Sequence, residues 1–96
     1  MMRKILVIED ETPVRENILD LLDAEDFNVI GAENGRLGVQ LAHREVPDLI
    51  ICDVMMPELD GHGVLKTLRQ DHLTATIPFI FLTAKSDKTD FRQGME

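Results

Sequence analysis

The sequence predicts an α/β fold, a doubly wound parallel sheet with helices on both faces, and three observations carry that prediction. Ile5-Leu6-Val7-Ile8 and Leu49-Ile50-Ile51-Cys52 are short, β-branched apolar runs of the kind found in strands buried on both faces. Segments with helical spacing alternate with such strands throughout, the pattern of right-handed βαβ units. Both central runs end in acids, Glu9-Asp10 after the first and Asp53 after the second. Strands so placed bring ligands to their carboxyl-terminal edge.

The elements succeed one another in order. Lys4–Ile8 is the first strand. Thr12 is placed to cap a helix opening with Pro13, whose buried stripe is Val14, Ile18, Leu21 and Leu22. Asn28–Ala32 is a weaker second strand. Asn34 caps a helix carrying Leu37, Gly38, Leu41 and Ala42 on one face, the small pair letting it sit close to the sheet. Pro47 ends that connection and Leu49–Asp53 is the third strand. A loop over Val54–Asp60 leads to a helix capped by Asp60, with Val64, Leu65 and Leu68 facing inward. Pro78 introduces a fourth strand, Phe79–Thr83, and a last helix starts around Asp87 with Phe91 and Met95 on one side.

Composition narrows the function. The 96 residues make one small domain, with 44% hydrophobic residues and no run near the roughly 20 residues that span a membrane. Met1-Met2-Arg3-Lys4 runs straight into a strand, so no secretory signal is expected; the single Cys52 excludes an internal disulfide and suits a reducing cytoplasm. A net charge of -8 argues against direct contact with nucleic acid, which needs a basic surface. The turn Glu9-Asp10-Glu11-Thr12 has no glycine, which rules out a dinucleotide turn or a P-loop, and its charge repels bare phosphate, FMN included. Phosphate approaches such a turn only alongside a metal.

Each acid alone has an ordinary explanation. Acids collect near first helical turns, and a strand-end Asp often caps a turn. Together they mean more. The crossover from strand one to strand three sets the two side by side, so Glu9, Asp10 and Asp53 meet in one crevice. Carboxylates that close repel unless a cation separates them, and an all-oxygen anionic pocket suits Mg²⁺. Cys52 is expected to be a buried hydrophobe; His43, His62 and His72 share no metal spacing and lie on polar helix faces; Met55 and Met56 are expected to pack the loop.

Ile5–Asp10 with Glu11, then Asp53-Val54-Met55-Met56-Pro57 with Asp60-Gly61, then Pro78–Ala84 resemble the receiver domain of two-component response regulators, in order and spacing, across the whole chain. The resemblance implies a flavodoxin-like receiver fold with strand order 2-1-3-4-5. It implies that Asp53 is the phosphoacceptor, taking a phosphoryl group from a phosphohistidine on a sensor histidine kinase or phosphotransfer protein. It further implies that Glu9, Asp10, Asp53 and the backbone carbonyl of Met55 hold Mg²⁺, Pro57 and Asp60-Gly61 shaping the loop. Thr83 would be the switch hydroxyl, and Ala84 would leave room for it. The chemistry agrees: a carboxylate can accept a phosphoryl group as an acyl phosphate, with charge and positioning supplying most of the catalysis.

The resemblance and the chemistry together imply a phosphorylation-switched signalling module, with no turnover of an external substrate, acting on a downstream effector domain or protein. A phosphorylation-independent scaffold is the alternative. A phospho-aspartyl hydrolase would want a second Asp two residues after the nucleophile, where Met55 stands. The resemblance also implies a fifth strand and helix, bearing a lysine and a switch aromatic, that the pattern to Glu96 does not supply; Lys85 and Lys88 are rim charges. Residues 1–96 are thus expected to be a receiver domain incomplete at its C-terminus, one that continues beyond Glu96 or self-associates to cover its open face.

Overall fold

A computed structural model describes residues 2–82 of the chain. Four parallel strands, β1 (Lys4–Ile8), β2 (Asn28–Ala32), β3 (Leu49–Asp53) and β4 (Phe79–Leu82), form one sheet in the order β2-β1-β3-β4. The helices are α1 (Thr12–Ala24), α2 (Gly35–Glu45) and α3 (Gly61–Arg69). The doubly wound expectation holds, including the adjacency of β1 and β3, and the four strands give the 2-1-3-4 part of the expected order. The segment expected to form the last helix lies outside the described residues, as do Thr83, Ala84, Lys85 and Lys88.

The core lies between the sheet and α2 and α3. Leu6 and Ile8 of β1, Ile50 and Cys52 of β3, Leu41 and Ala42 of α2, and Val64 and Leu68 of α3 form one buried cluster. Alternate residues of each strand share a face, so Ile5 and Val7 of β1 turn to the other side, where they are also buried. The small-residue face of α2 works as expected. A side chain on Gly38 would run into Ile8, which is why α2 lies so close to β1. Asn34 caps α2, its Oδ1 accepting from the Leu37 N–H at 2.8 Å, and Asp60 caps α3 through the Gly63 N–H at 2.8 Å.

Helix α1 departs from expectation in two ways. Its N-cap is Glu11 rather than Thr12, and no side chain caps it. The Arg15 N–H that a Thr12 cap would have served goes to the Glu11 carbonyl at 2.9 Å, so the helix begins one residue early. Its inward face also differs at one position, since it includes Arg15 and Leu19 beside Val14, Ile18 and Leu22 but not Leu21. Val14, Ile18 and Leu22 are only half-buried and Leu21 is 64% exposed. Leu19 and the stem of Arg15 face β2, over Gly31, where a side chain would press on both.

Other expectations need smaller corrections. Met56 packs into the core but Met55 is exposed. His72 lies in the turn after α3 rather than on a helix. His43 is engaged within the fold, its Nε2 lying 2.8 Å from the Asp71 carboxylate and its Nδ1 3.0 Å from the Val39 carbonyl. The backbone N–H of Leu73 chiefly holds the Asp71 carboxyl below the usual range, with His43 and His72 adding to it.

Val46, the C-cap of α2, is left-handed at φ 42°, ψ 66°. A β-branched residue there is strained, and glycine is the usual occupant. Val46 is exposed, so little packing opposes a change. Val46→Gly should raise stability by about 1 kcal/mol, read as a higher midpoint in urea or heat. A lower midpoint would show that the Val46 side chain contributes more than the strain costs.

Candidate metal and phosphoacceptor site

The carboxyl-terminal edge of the sheet gathers the acids. Ile8 is registered with Cys52, so the next residues along, Glu9 and Asp53, stand side by side where β1 and β3 end. One carboxylate oxygen from each of Glu9, Asp10 and Asp53 lies within 4.8 Å of the others. Glu9 and Asp53 are almost wholly buried, at 1% and 2% exposure, and Asp10 is half-buried toward the rim. The arrangement is two acids walled by the sheet and one at the mouth.

Glu9 is fixed through both its main chain and its carboxylate. Its N–H donates to Ala32 of β2 at 3.0 Å, extending the ladder one step past β1. Its Oε2 accepts from the Glu11 N–H at 3.0 Å, and its carbonyl accepts from Arg15 Nη1 at 2.8 Å. Around Asp53 the backbone is equally held. The Val54 N–H donates to Leu82 at 3.3 Å, the Gly61 N–H donates to the Val54 carbonyl at 2.9 Å, and Cys52 Sγ lies 3.3 Å from the Asp53 carbonyl. Gly61 must lack a side chain, because a Cβ would overlap the Asp53 carbonyl oxygen.

Burial pushes the Cys52 thiol up to about 12, with the charges of Asp53, Glu9 and Asp60 adding to it. Cys52 is therefore a neutral thiol in the core and not a nucleophile of the site.

The loop after β3 turns at Glu58, whose φ of 68° is left-handed, and closes through the Leu59 N–H donating to the Pro57 carbonyl at 2.8 Å. Met55 sits two residues beyond Asp53 and is 60% exposed. Thr83 and Ala84 lie outside the described residues, and Leu82, the residue before Thr83, is registered with Asp53.

Glu9, Asp10 and Asp53, predicted together, are brought together. The arrangement fits a hard divalent ion, since every side-chain donor is a carboxylate oxygen and the charge is anionic. Sequence reasoning misses Arg15. Its only signal is a cation at a sheet-facing position of α1, four residues before Leu19, where an apolar residue would be expected.

Comparison with known proteins agrees with the geometry. The family model of the response regulator receiver domain matches residues 5–96. The chain is 41% identical over 93 residues to the probable transcriptional regulator ycf27 of Porphyridium aerugineum, covering 97% of this chain and 38% of that one. It is 36% identical over 96 residues to the phosphate regulon transcriptional regulatory protein PhoB of Escherichia coli (strain K12), covering 100% of this chain and 42% of PhoB. The chain thus spans well under half the length of these relatives. Among solved structures, the receiver domain of the sensor histidine kinase PA1611 of Pseudomonas aeruginosa PAO1, with a magnesium ion coordinated in its active site cleft, superposes with a TM-score of 0.80 at 28% identity, covering 93% of this chain and 75% of that one. With the sheet order, the acidic edge and the match over residues 5–96 in agreement, the chain belongs to the receiver domains of two-component response regulators.

Proposed function

We propose that this receiver domain is switched by Mg²⁺-dependent phosphorylation of Asp53. The observation that carries this reading is the convergence of Glu9, Asp10 and Asp53 within 4.8 Å at one sheet edge. Glu9, Asp10, Asp53 and the Met55 carbonyl would hold the ion, which when bound supplies positive charge to a transferring phosphoryl group. An oxygen of the Asp53 carboxylate attacks phosphorus as the phosphorus–nitrogen bond of a donor phosphohistidine breaks. The bonding pair returns to the donor imidazole and Asp53 becomes an acyl phosphate. Thr83 would then supply a hydroxyl to the phosphoryl group, with Ala84 giving it room.

The donor is a sensor histidine kinase or a phosphotransfer protein, and the output passes to an effector domain or protein. The chain turns over no external substrate. Among the described residues no helix is long and apolar enough to cross a membrane, and a cytoplasmic location fits a partner that carries phosphohistidine.

Titration of Mg²⁺ by calorimetry or NMR tests the site. Asp10→Asn should weaken binding by at least about tenfold, and Glu9→Gln by less, because Glu9 already accepts from the Glu11 N–H and would reach the ion through water. Equal affinity in the unaltered chain and both variants would remove the metal site.

A further inference from the structure

We infer that Arg15 is a positioning residue for the metal-binding turn, setting the peptide plane from which Asp10 reaches the ion; this rests on the Mg²⁺ reading above. The Glu9 N–H bonds the Ala32 carbonyl one step past β1, and the Glu9 carbonyl accepts from Arg15 Nη1 at 2.8 Å. The Glu9 carbonyl and the Asp10 N–H belong to one planar peptide. Fixing the carbonyl therefore fixes the start of Asp10. Glu9 cannot swing in compensation, because its N–H is held by Ala32 and its Oε2 by the Glu11 N–H.

The surroundings suit arginine in particular. The second prong of the guanidinium, Nη2, reaches Thr12 Oγ1 at 3.4 Å, so one rigid fork spans the turn from Glu9 to the first residue of α1. The stem lies over Gly31, where a Cβ would stand 3.4 Å from Arg15 Cδ and 2.9 Å from Leu19 Cδ1. Glycine in β2 thus opens the channel through which the side chain runs. Lysine would keep the charge and lose the fork.

The sign of the effect on Mg²⁺ separates positioning from simple electrostatics. A positive charge beside a cation site repels the ion, so by charge alone Arg15→Gln should bind Mg²⁺ more tightly and Arg15→Lys should change nothing. Positioning gives the opposite result. Both variants should bind Mg²⁺ more weakly, by about tenfold, the low end for partners that orient metal ligands.

The experiment is a calorimetric or NMR titration of Mg²⁺ into the full chain, with unfolding midpoints for each variant. Leu22→Ala, on the same helix and away from the turn, serves as a stability control; it should melt lower and bind Mg²⁺ normally. Arg15→Lys binding like the unaltered chain, or Arg15→Gln binding more tightly, overturns the inference. So does a Leu22→Ala that weakens binding equally, since the loss then follows stability alone. Asp10→Asn keeps the two readings apart. If it loses Mg²⁺ while both Arg15 variants bind normally, only the role of Arg15 falls. If the unaltered chain binds no Mg²⁺, or Asp10→Asn binds equally well, the metal site and the role of Arg15 fall together.

Discussion

Incubated with acetyl phosphate and Mg²⁺, the unaltered chain should gain a single phosphoryl group by intact mass, and Asp53→Ala should gain none. The label should be lost to hydroxylamine, which cleaves an acyl phosphate and spares a phosphoserine or phosphothreonine. Three carboxylates lie at this edge, yet their surroundings differ. Glu9 is buried beside Asp53 and lies one residue past β1, its Oε2 accepting from the Glu11 N–H. Asp10 is half-buried on the turn, nearer the rim, where the proposed role is that of a metal ligand. Asp53 is the last residue of a central strand, its backbone held through Val54 and Gly61, and that rigidity suits in-line attack. Omitting Mg²⁺ should suppress labelling in the unaltered chain, because charge neutralisation supplies much of the rate in phosphoryl transfer. Label persisting in Asp53→Ala would place the acceptor elsewhere. Binding of Mg²⁺ with no labelling under any condition would favour a scaffold that works without phosphorylation.

Much of this is legible in the sequence because the strongest signals are local. A strand buried on both faces must be apolar throughout, so β1 and β3 announce themselves, and the acids following β1 and ending β3 mark the edge where Glu9, Asp10 and Asp53 gather. The caps of α2 and α3 are readable because Asn34 and Asp60 bond to N–H groups three residues on. What escapes depends on long-range packing. The places of Leu19 and the Arg15 stem reflect Gly31, a residue on another element that admits them, and no periodicity within α1 reports it. Arg15 escapes for the same reason, since its partner is a backbone carbonyl and carbonyls leave no mark on a sequence. The left-handed turn at Val46 runs against residue preference, where sequence reading is weakest. Asp10 and Asp53 can be found because acids at strand ends have a pattern; a main-chain acceptor has none.

Two glycines of α3 should respond differently to the same substitution. A Cβ at Gly61 would overlap the Asp53 carbonyl oxygen and stand 3.0 Å from Val54 Cα and 3.1 Å from the Asp53 carbonyl carbon. All three obstacles are backbone, so no rotamer change relieves them and α3 must withdraw from the end of β3. A Cβ at Gly63 would meet Leu59 Cδ1 at 2.6 Å, the far end of a flexible side chain, with Asp60 Oδ1 next at 3.4 Å. Leu59 can turn aside, and alanine suits a helix better than glycine. Gly61→Ala should therefore cost about 2 kcal/mol, within the usual range for overpacking a tight contact. In a domain of this size that lowers the melting midpoint by roughly 8–16 °C. Gly63→Ala should melt within a few degrees of the unaltered chain, since gain and loss are each about 1 kcal/mol or less. The functional consequence separates them further. Displacing the Asp53 carbonyl shifts the residue between β3 and the loop that carries Met55, so Gly61→Ala should also weaken Mg²⁺ binding and slow labelling of Asp53, while Gly63→Ala leaves both intact. Equal melting and equal Mg²⁺ affinity in the two variants would mean that the approach of α3 to Asp53 is compliant, and that the glycine at position 61 is not what holds the site in place.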